Sequence, residues 1–265
     1  MVRLMALSRV MGILAAFALA NASIAQEWGD LKVKMVFGGD AAAAKMITPD
    51  KDKEFCGKHD IPDERLLVDS ASKGVRNVIL YLYAGRSGKV EKIHPDQAKP
   101  SDDKLVLANM YCRFEPHVLV LRPGQTINVT NPDEVGHNAN FNFVKNKPQN
   151  FTIPTGGEKP ITITDAEPAP IPVDCNIHPW MRAYLVVMDH PYVGVSAVDG
   201  TMEIKNLPVG KHEFRIYHES FDGALKEAKL GGQAVKPKRN VLEVEIKPGM
   251  NDLGVLELPA AAFKK

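Results

Sequence analysis

Four side chains whose chemistry suits one copper ion lie in two short stretches of this sequence. Cys175, His178 and Met181 stand in the run CNIHPWM, and His137 lies 38 residues before Cys175 in VGHNANF. One thiolate, two imidazoles and one thioether form the ligand set of a type 1, or blue, copper site. A single turn between two strands can direct the three clustered ligands at one ion, so the fourth must come from another loop. The set predicts a mononuclear copper centre.

The chemistry of these ligand types favours electron transfer over catalysis. A thiolate gives copper an efficient electronic path, neutral imidazoles bind both oxidation states, and a weak thioether favours Cu(I). The set implies no coordination position for a substrate, so we expect a carrier and not an enzyme. The chain has no C-x-x-x-C loop, H-x-H pair, G-x-S-x-G or H-E-x-x-H motif, which argues against binuclear copper centres, multicopper oxidases and common hydrolases.

The other two cysteines, Cys56 and Cys112, are left to form a disulfide if Cys175 holds copper. The alternative is that Cys112 pairs with Cys175 and that the chain has no metal site. His117 is the strongest candidate for an extra ligand, because it follows Cys112 by five residues; the alternative is a histidine packed at the surface. The remaining histidines could form a second site with acids such as Glu219, but solvated or core positions are the simpler expectation: His59, His94, His190, His212 and His218.

The first 25 residues have the pattern of a secretory signal peptide. Arg3 and Arg9 make the start basic, residues 11–20 are apolar, and residues 23–25 (SIA) form a small-x-small cleavage site. We therefore expect a mature chain from Gln26 that is periplasmic or secreted and has no membrane span. The formal net charge is +1, and it becomes −1 without the two signal arginines. Such a balance argues against nucleic-acid binding, which needs a basic surface.

Short strand-like runs separated by turn residues predict an all-β protein. In residues 103–189 these runs recur at regular spacing with Pro-Gly and Asn-Pro turns, which is typical of a β-sandwich. Residues 31–37 and 75–85 predict two earlier strands, and five more strand-like runs follow residue 191.

The segment around the four ligands resembles the cupredoxins, a family of blue-copper proteins with a Greek-key β-sandwich. FEPHVLVLRPGQTINVTNPDEVGHN is similar to their second and third strands with the first histidine ligand, and CNIHPWM resembles the C-x-x-H-P-x-M loop of the amicyanin group. The resemblance covers residues 103–189 and implies a cupredoxin domain with one type 1 copper. Its equatorial ligands would be His137, Cys175 and His178, and its axial ligand Met181.

Further roles follow from this resemblance. Asn138 would join the two ligand loops by hydrogen bonds. His178 would be the exposed ligand, reached through an apolar patch with Pro179 and Trp180 at which a redox partner, a dehydrogenase or a cytochrome, docks. The chain departs from the family in AEPAPIPVDC, where three prolines before Cys175 predict an edge strand or an irregular approach to the site.

The run VSAVDGTMEIKNLPVGKHEFRIYHE resembles the carboxypeptidase regulatory-like, or transthyretin-like, β-sandwich. The earlier strands of that family resemble LKVKMVF and VRNVILYLY, which precede the copper segment. We therefore predict a discontinuous domain of residues 29–88 and 191–258, with the cupredoxin domain inserted as residues 103–189. The alternatives are a simple fusion of two domains and one enlarged sandwich with extra edge strands.

The sequence thus predicts an exported blue-copper protein that carries single electrons between redox partners. The loop's resemblance to that of the amicyanins, which accept electrons from an amine dehydrogenase, implies methylamine utilisation as a context. One alternative is a copper storage or delivery protein with the same ligands and no redox partner. The other is an extracellular module that binds carbohydrate or protein and retains a vestigial copper site.

Overall fold

A computed structural model describes residues 27–40, 43–85 and 89–264, and their regular structure is almost entirely β-strand. The predicted all-β fold is confirmed. The predicted signal peptide, residues 1–25, lies outside the described residues. Within the described ranges the one α-helix is a single turn, α1 (Lys53–Cys56), and no helix there is long and apolar enough to cross a membrane.

The strands of the described residues lie in four sheets. In chain order they are β1 (Trp28–Gly38), β2 (Ile79–Leu82), β3 (Leu105–Met110), β4 (Arg113–Glu115), β5 (Val118–Leu121), β6 (Thr126–Thr130), β7 (His137–Phe141), β8 (Gln149–Ile153), β9 (Glu158–Thr162), β10 (Ile171–Asp174), β11 (Arg182–Val187), β12 (Val193–Val195), β13 (Thr201–Pro208), β14 (Gly210–Tyr217), β15 (Ala228–Leu230), β16 (Gln233–Val235), β17 (Val241–Ile246) and β18 (Gly249–Pro259). Short 3-10 turns cover Pro95–Gln97 and Ala260–Ala262.

Strands β3 to β11 form two sheets that share one apolar core, and we call this pair the ligand sandwich. Its sheets have the orders β4-β3-β6-β9 and β5-β11-β10-β7-β8. In β6, Ile127 and Val129 are buried, while the alternate residues Thr126, Asn128 and Thr130 are more exposed. Successive side chains of a strand point to opposite faces, so an alternating sequence buries one face of the sheet.

The remaining strands form a second pair of sheets around a separate core, and we call this pair the flanking sandwich. Its sheets have the orders β13-β1-β18-β15-β16 and β12-β2-β14-β17. β1 pairs antiparallel with β13 and parallel with β18. Both partners of this early strand therefore come from the part of the chain that follows the ligand sandwich.

A third apolar cluster lies where the two sandwiches meet. Ile79 and Tyr81 of β2 are buried there with Val186 of β11 and with Met188.

β2 is shorter than the strand predicted for residues 75–85, since only Ile79–Leu82 is extended within the sheet. The domain limits of residues 29–88, 103–189 and 191–258 remain a prediction.

The prolines of AEPAPIPVDC do not place their strand at an edge, so the edge-strand alternative was wrong, whereas residues 163–170 form the irregular approach that was the other alternative. β10 is the central strand of its sheet, between β11 and β7. Pro172 pairs with Tyr184 of β11, whereas only Val173 and Asp174 pair with β7. The C=O of Pro172 accepts a hydrogen bond from Asn142 on the β7 side, and in an antiparallel strand a residue's N–H points the same way as its C=O. The missing N–H therefore faces Asn142, just beyond the end of the ladder with β7.

Residues 45–63, which we call the cap segment, precede β2 in the chain but lie against the ligand sandwich. The N–H of Asp63 donates to the C=O of Lys45 over 2.7 Å and closes the two ends of the segment. Cys56, at the end of α1, forms a disulfide with Cys112 and is buried in the core of the ligand sandwich. A covalent bond therefore fixes the cap segment to the sandwich that carries the predicted copper ligands.

Candidate metal centre

The four predicted ligands come from adjacent elements of one sheet. His137 is the first residue of β7, and Cys175, His178 and Met181 lie in the loop between β10 and β11. β10 pairs with both β7 and β11, which brings the loop beside His137. Within the loop, the N–H of Cys175 donates to the C=O of Met181 over 3.2 Å, and the N–H of Met181 to the C=O of His178 over 2.9 Å. These hydrogen bonds fold the loop into a tight turn.

Three ligand atoms converge in a buried space. The Nδ1 atoms of His137 and His178 lie 2.9 Å apart, and Cys175 Sγ lies 3.7 Å from Nδ1 of His178. All three side chains are buried, and their ligand atoms lie within 4.8 Å of one another. The two Nδ1 atoms share at most one proton at this separation, so at least one of them offers a lone pair to an ion. A thiolate with two imidazole nitrogens is a donor set that copper accepts, and these residues fit it.

The environment of Cys175 favours the thiolate, which is the form that binds metals. Burial raises the pKa of Cys175, but hydrogen bonds with the rings of His137 and His178 outweigh burial and lower the pKa to about 6. The backbone N–H groups of Asn138 and His178 also donate to Sγ, over 3.5 and 3.4 Å. The side chain of Met181 is buried in the same core as Cys175.

Asp133 fixes the orientation of His137. Its Oδ2 lies 2.9 Å from Nε2 of His137, and it accepts hydrogen bonds from the N–H groups of Tyr111 and Cys112 over 2.7 and 2.8 Å. Burial raises the pKa of Asp133, but these contacts outweigh burial and hold the pKa below its ordinary range. A charged carboxylate keeps a proton on Nε2 of His137, which leaves the lone pair of Nδ1 for a metal.

His178 is not exposed, so the prediction of an exposed ligand edge was wrong. Its side chain is 0% exposed, and Oδ2 of Asp52 in the cap segment lies 2.7 Å from its Nε2. The cap segment covers the edge of the ring that the family resemblance leaves open to a partner. Ile177 and Pro179 in the same loop are exposed, so an apolar surface lies beside the site without including the ring itself.

Asn138 contacts both of the segments that carry ligands. Its Oδ1 accepts a hydrogen bond from the N–H of Asn176 in the ligand loop. Its Nδ2 donates to Oδ1 of Asn150 on β8 over 2.6 Å. Because Asn138 follows His137 directly, these bonds fix the strand of His137 to the loop of Cys175.

Trp180 lies half-buried between His178 and the disulfide. Its ring centroid is 5.1 Å from that of His178, and its Nε1 donates to the C=O of Cys112 over 3.1 Å. The disulfide joins Cys56 to Cys112, and Cys175 is a free, buried thiol. The alternative pairing of Cys112 with Cys175 is therefore not the one that the structure contains.

His117 is buried and does not pack at the surface, so that alternative was wrong. Its side chain is 3% exposed, with Nε2 2.5 Å from Oε1 of Glu219 and Nδ1 3.5 Å from Oε2 of Glu64. Burial lowers the pKa of His117, but the two carboxylates outweigh burial and raise the pKa to about 9. His117 is therefore an imidazolium, which has no lone pair for a metal. It lies outside the group of residues that converge at Cys175.

The remaining histidines do not build a second centre in the parts of the chain that the structure describes. Burial lowers the pKa of His190 and of His218 to about 4. The other group of three potential ligands in those parts consists of Cys112, Asp133 and His137, and its cysteine is in the disulfide. Besides His117, the histidines outside both groups are His59, His94, His190, His212 and His218.

Neither of the carboxylates that hold the ligand rings was predicted from the sequence. Asp133 stands four residues before His137 in a turn containing Asn131-Pro132, and this short spacing is a signal that could have found it. Asp52 is 126 residues from His178. No local pattern could have found Asp52, because its position depends on the tertiary fold and on the disulfide.

No protein-family model and no curated protein sequence matches this chain. Among solved structures it is similar to a reduced Cu(I) form of an amicyanin mutant, at 22% identity over 34% of this chain and 92% of that one, with a TM-score of 0.29. A copper-containing nitrite reductase from Thermus scotoductus SA-01 is 20% identical over 40% of this chain and 25% of that one, with a TM-score of 0.29. A purple cupredoxin from Nitrosopumilus maritimus is 22% identical over 32% of this chain and 99% of that one, with a TM-score of 0.27.

Proposed function

We propose that this chain is an exported, mononuclear blue-copper protein that carries single electrons between redox partners and is not an enzyme. One observation carries the proposal: the Sγ atom of Cys175 and the Nδ1 atoms of His137 and His178 converge in a buried space. Met181, the proposed axial ligand, lies in the same loop and is buried in the same core. A thiolate, two imidazoles and a thioether together select a type 1 copper site.

The residues around the site would keep one geometry in both oxidation states. Bound copper would supply a one-electron couple between Cu(I) and Cu(II). Asn138 joins the two ligand-bearing segments, while Asp133 and Asp52 hold the remote nitrogens of the two rings. Burial keeps water away from the ligands, so little solvent would have to reorganise when the charge of the site changes.

The proposed organisation is a cupredoxin-like domain, residues 103–189, inserted in a discontinuous domain of residues 29–88 and 191–258. The grouping of strands supports this proposal, because β3 to β11 share one core and the other strands share another. We propose that the discontinuous domain is of the carboxypeptidase regulatory-like type and positions the copper domain against a partner. A compact fragment of residues 103–189 that retains copper after limited proteolysis would support the insertion, and a failure to obtain one would contradict it.

The proposed partner is a dehydrogenase or a cytochrome that approaches the exposed side of the ligand loop. Ile177 and Pro179 give that side an apolar surface, and the half-buried ring of Trp180 lies against His178. The proposed compartment is the periplasm or the cell exterior. The Cys56–Cys112 disulfide supports it, because structural disulfides persist in oxidising compartments.

The test is the visible absorption and EPR spectrum of the protein after addition of Cu(II). We expect an intense thiolate-to-copper band with narrow copper hyperfine splitting, at one copper per chain. Cys175→Ala should lose the band, while His212→Ala, which changes a histidine outside the site, should keep it. An ordinary, weak Cu(II) spectrum of the unmodified protein would overturn the proposal.

Copper storage or delivery is a second candidate, and one observation favours it. The side chain of His178 is 0% exposed and Asp52 faces its Nε2, so the ring edge through which a partner would reach the metal is closed. Electron self-exchange, measured by NMR line broadening in mixtures of the oxidised and reduced protein, separates the two functions. Fast exchange would favour the electron carrier, and exchange too slow to broaden the lines would favour storage or delivery.

A further inference from the structure

We propose that Asp52, anchored by the Cys56–Cys112 disulfide, is a positioning residue that orients His178 and lowers the reduction potential of the copper site. This inference rests on the proposed function, because it concerns the same site. It assigns a role at the site to the cap segment, which lies between β1 and β2 in the chain and packs against the ligand sandwich.

The geometry of Asp52 determines which nitrogen of His178 meets the metal. Oδ2 of Asp52 lies 2.7 Å from Nε2 of His178. A carboxylate only accepts hydrogen bonds, so Nε2 must be the protonated nitrogen and Nδ1 must carry the lone pair. Nδ1 is also the atom that faces Nδ1 of His137 and Sγ of Cys175. Asp52 thus holds the ring in the tautomer that the copper site needs.

The contact does not follow from burial alone. The side chain of Asp52 is 42% exposed, so water competes with His178 for hydrogen bonds to its carboxylate unless the backbone is held in place. Its backbone provides that anchor, because its C=O accepts from the N–H groups of Phe55 and Cys56 over 3.0 and 2.8 Å. Cys56 is in turn joined covalently to Cys112. The carboxylate is therefore held over the ring by α1 and the disulfide.

The same disulfide also connects to the other ligand ring. The N–H of Cys112 donates to Oδ2 of Asp133 over 2.8 Å, and this oxygen lies 2.9 Å from Nε2 of His137. Each half of the disulfide thus fixes one carboxylate, and each carboxylate fixes one imidazole ligand. The Cys56–Cys112 bond is the common support of both histidines.

The sign of the effect on the potential follows from charge. A carboxylate that accepts from Nε2–H makes the imidazole a stronger donor through Nδ1. A stronger donor and a nearby negative charge stabilise Cu(II) more than Cu(I), so Asp52 should lower the reduction potential. Loss of such a partner of a metal-bound histidine typically costs about 10-fold to 100-fold in metal affinity.

The experiment compares Asp52→Asn with Asp50→Asn in the full chain. Asn keeps the size of the side chain and tolerates the left-handed backbone of Asp52 (φ 43°). Asp50 is an exposed carboxylate two residues away, so its variant controls for the loss of charge. We expect Asp52→Asn to weaken Cu(II) binding about 10-fold with little change for Cu(I). That ratio corresponds to a potential about 59 mV higher for a one-electron couple.

Two readouts separate positioning from a merely structural role. Long-range 1H–15N NMR correlations of the His178 ring in the Cu(I) protein should show Nε2 protonated in the unmodified chain and in Asp50→Asn. In Asp52→Asn the Nε2 proton should exchange faster with water. In Asp52→Glu, which keeps a carboxylate, the reduction potential should lie between that of Asp52→Asn and that of the unmodified protein. Cys56→Ser combined with Cys112→Ser should raise the potential in the same direction as Asp52→Asn; if this variant does not fold, Asp52→Asn alone decides.

The outcomes distinguish this inference from the proposed function. If the unmodified protein has the blue band but Asp52→Asn has the same potential and the same Nε2 exchange as Asp50→Asn, only the role of Asp52 is overturned. If the unmodified protein has no blue band, the proposed function fails, and the inference fails with it. A potential that rises in Asp52→Asn and not in Asp50→Asn establishes the role of Asp52.

Discussion

Within the described residues, buried histidines meet carboxylates in two regions, with opposite consequences. At the candidate metal centre, His137 and His178 each direct Nε2 to one aspartate and keep Nδ1 for the ligand cluster. Where the two sandwiches meet, His117 has a carboxylate facing each of its nitrogens. The number of carboxylates decides what a buried imidazole can do. An imidazole with one carboxylate partner keeps a lone pair for a metal. An imidazole with two carboxylate partners is a cation that joins segments of the chain.

The surroundings of His117 explain why it joins segments and binds no metal. Glu219 follows β14 of the flanking sandwich, and Glu64 follows the cap segment. Oε1 of Glu64 lies 3.1 Å from Nη1 of Arg113, and the hydroxyl of Tyr184 donates to Oε2 of Glu219 over 3.4 Å. The imidazolium lies between these two carboxylates, so it connects the ligand sandwich, the cap segment and the flanking sandwich.

The strongest test of the comparison is to remove one histidine from each region. His137→Ala should abolish stoichiometric blue-copper binding, because it removes one of three strong ligands. His117→Ala should retain the blue band and its stoichiometry, since this ring offers no lone pair. Copper titrations followed by visible absorption measure both variants, and circular dichroism checks their folding. A folded His117→Ala protein without the band would show that the two regions do not differ as described.

Removing the disulfide should give the largest loss of stability. The bond closes a loop with a sequence separation of 56 residues, for which chain entropy gives about 4 kcal/mol of stabilisation. Urea unfolding of the metal-free Cys56→Ser, Cys112→Ser variant should therefore show a free energy of unfolding lower by about 4 kcal/mol. Equal stability of the two proteins would mean that the cap segment is held by its other contacts.

The ion pairs of His117 should make the free energy of unfolding fall at alkaline pH. The pKa of His117 is about 9 in the folded protein and 6.5 ordinarily, so the folded state binds its proton more tightly. This contribution is complete below about pH 6.5 and is lost as pH rises through about 9. The pKa difference corresponds to about 3 kcal/mol.

Unfolding in urea between about pH 6 and about pH 10 measures this loss. Glu219→Gln should remove most of the fall, because it takes away the closer carboxylate of His117. Glu213→Gln, at an exposed position on β14, should keep the full fall and serves as the control. The same pH dependence in both variants would assign it to other groups.

The smallest expected effect concerns the inner carboxylate of the metal centre. Asp133→Asn should lower copper affinity about 10-fold, or about 1.4 kcal/mol, because it weakens the bond that orients His137. Glu134→Gln changes the exposed neighbouring carboxylate and should leave the affinity unchanged. Competition with a chelator of known affinity measures both variants, and equal affinities would remove Asp133 from the description of the site.

The features predicted well from the sequence are those fixed by local chemistry. Alternating runs such as LKVKMVF predicted β1, since burial on one face of a sheet requires that pattern. Cys175, His178 and Met181 were expected in one turn, and the hydrogen bonds of the loop form that turn. The residues alone left the pairing of the three cysteines open, because the pairing depended on whether Cys175 serves as a metal ligand.

The features that the sequence did not predict depend on contacts between distant segments. Asp52 reaches His178 only because the cap segment folds back onto the ligand sandwich. His117 was expected at the surface as an alternative to ligation, but Glu64 and Glu219 make its burial favourable. The prolines before the ligand loop predicted an edge strand or an irregular approach. The sequence alone could not exclude the edge position, because it does not show that β7 pairs with β10.

The pairing of β1 affects the order in which the chain can fold. Its partners β13 and β18 begin at Thr201 and Gly249, so β1 finds no neighbour in its sheet until the ribosome has made the whole ligand sandwich. Strands β3 to β11 are contiguous from Leu105 to Val187, and their sheets can close earlier. During that interval β1 has only an isolated bridge from Val36 to Gly74, and its other backbone groups lack strand partners, as in the segments on which aggregation begins and which chaperones cover.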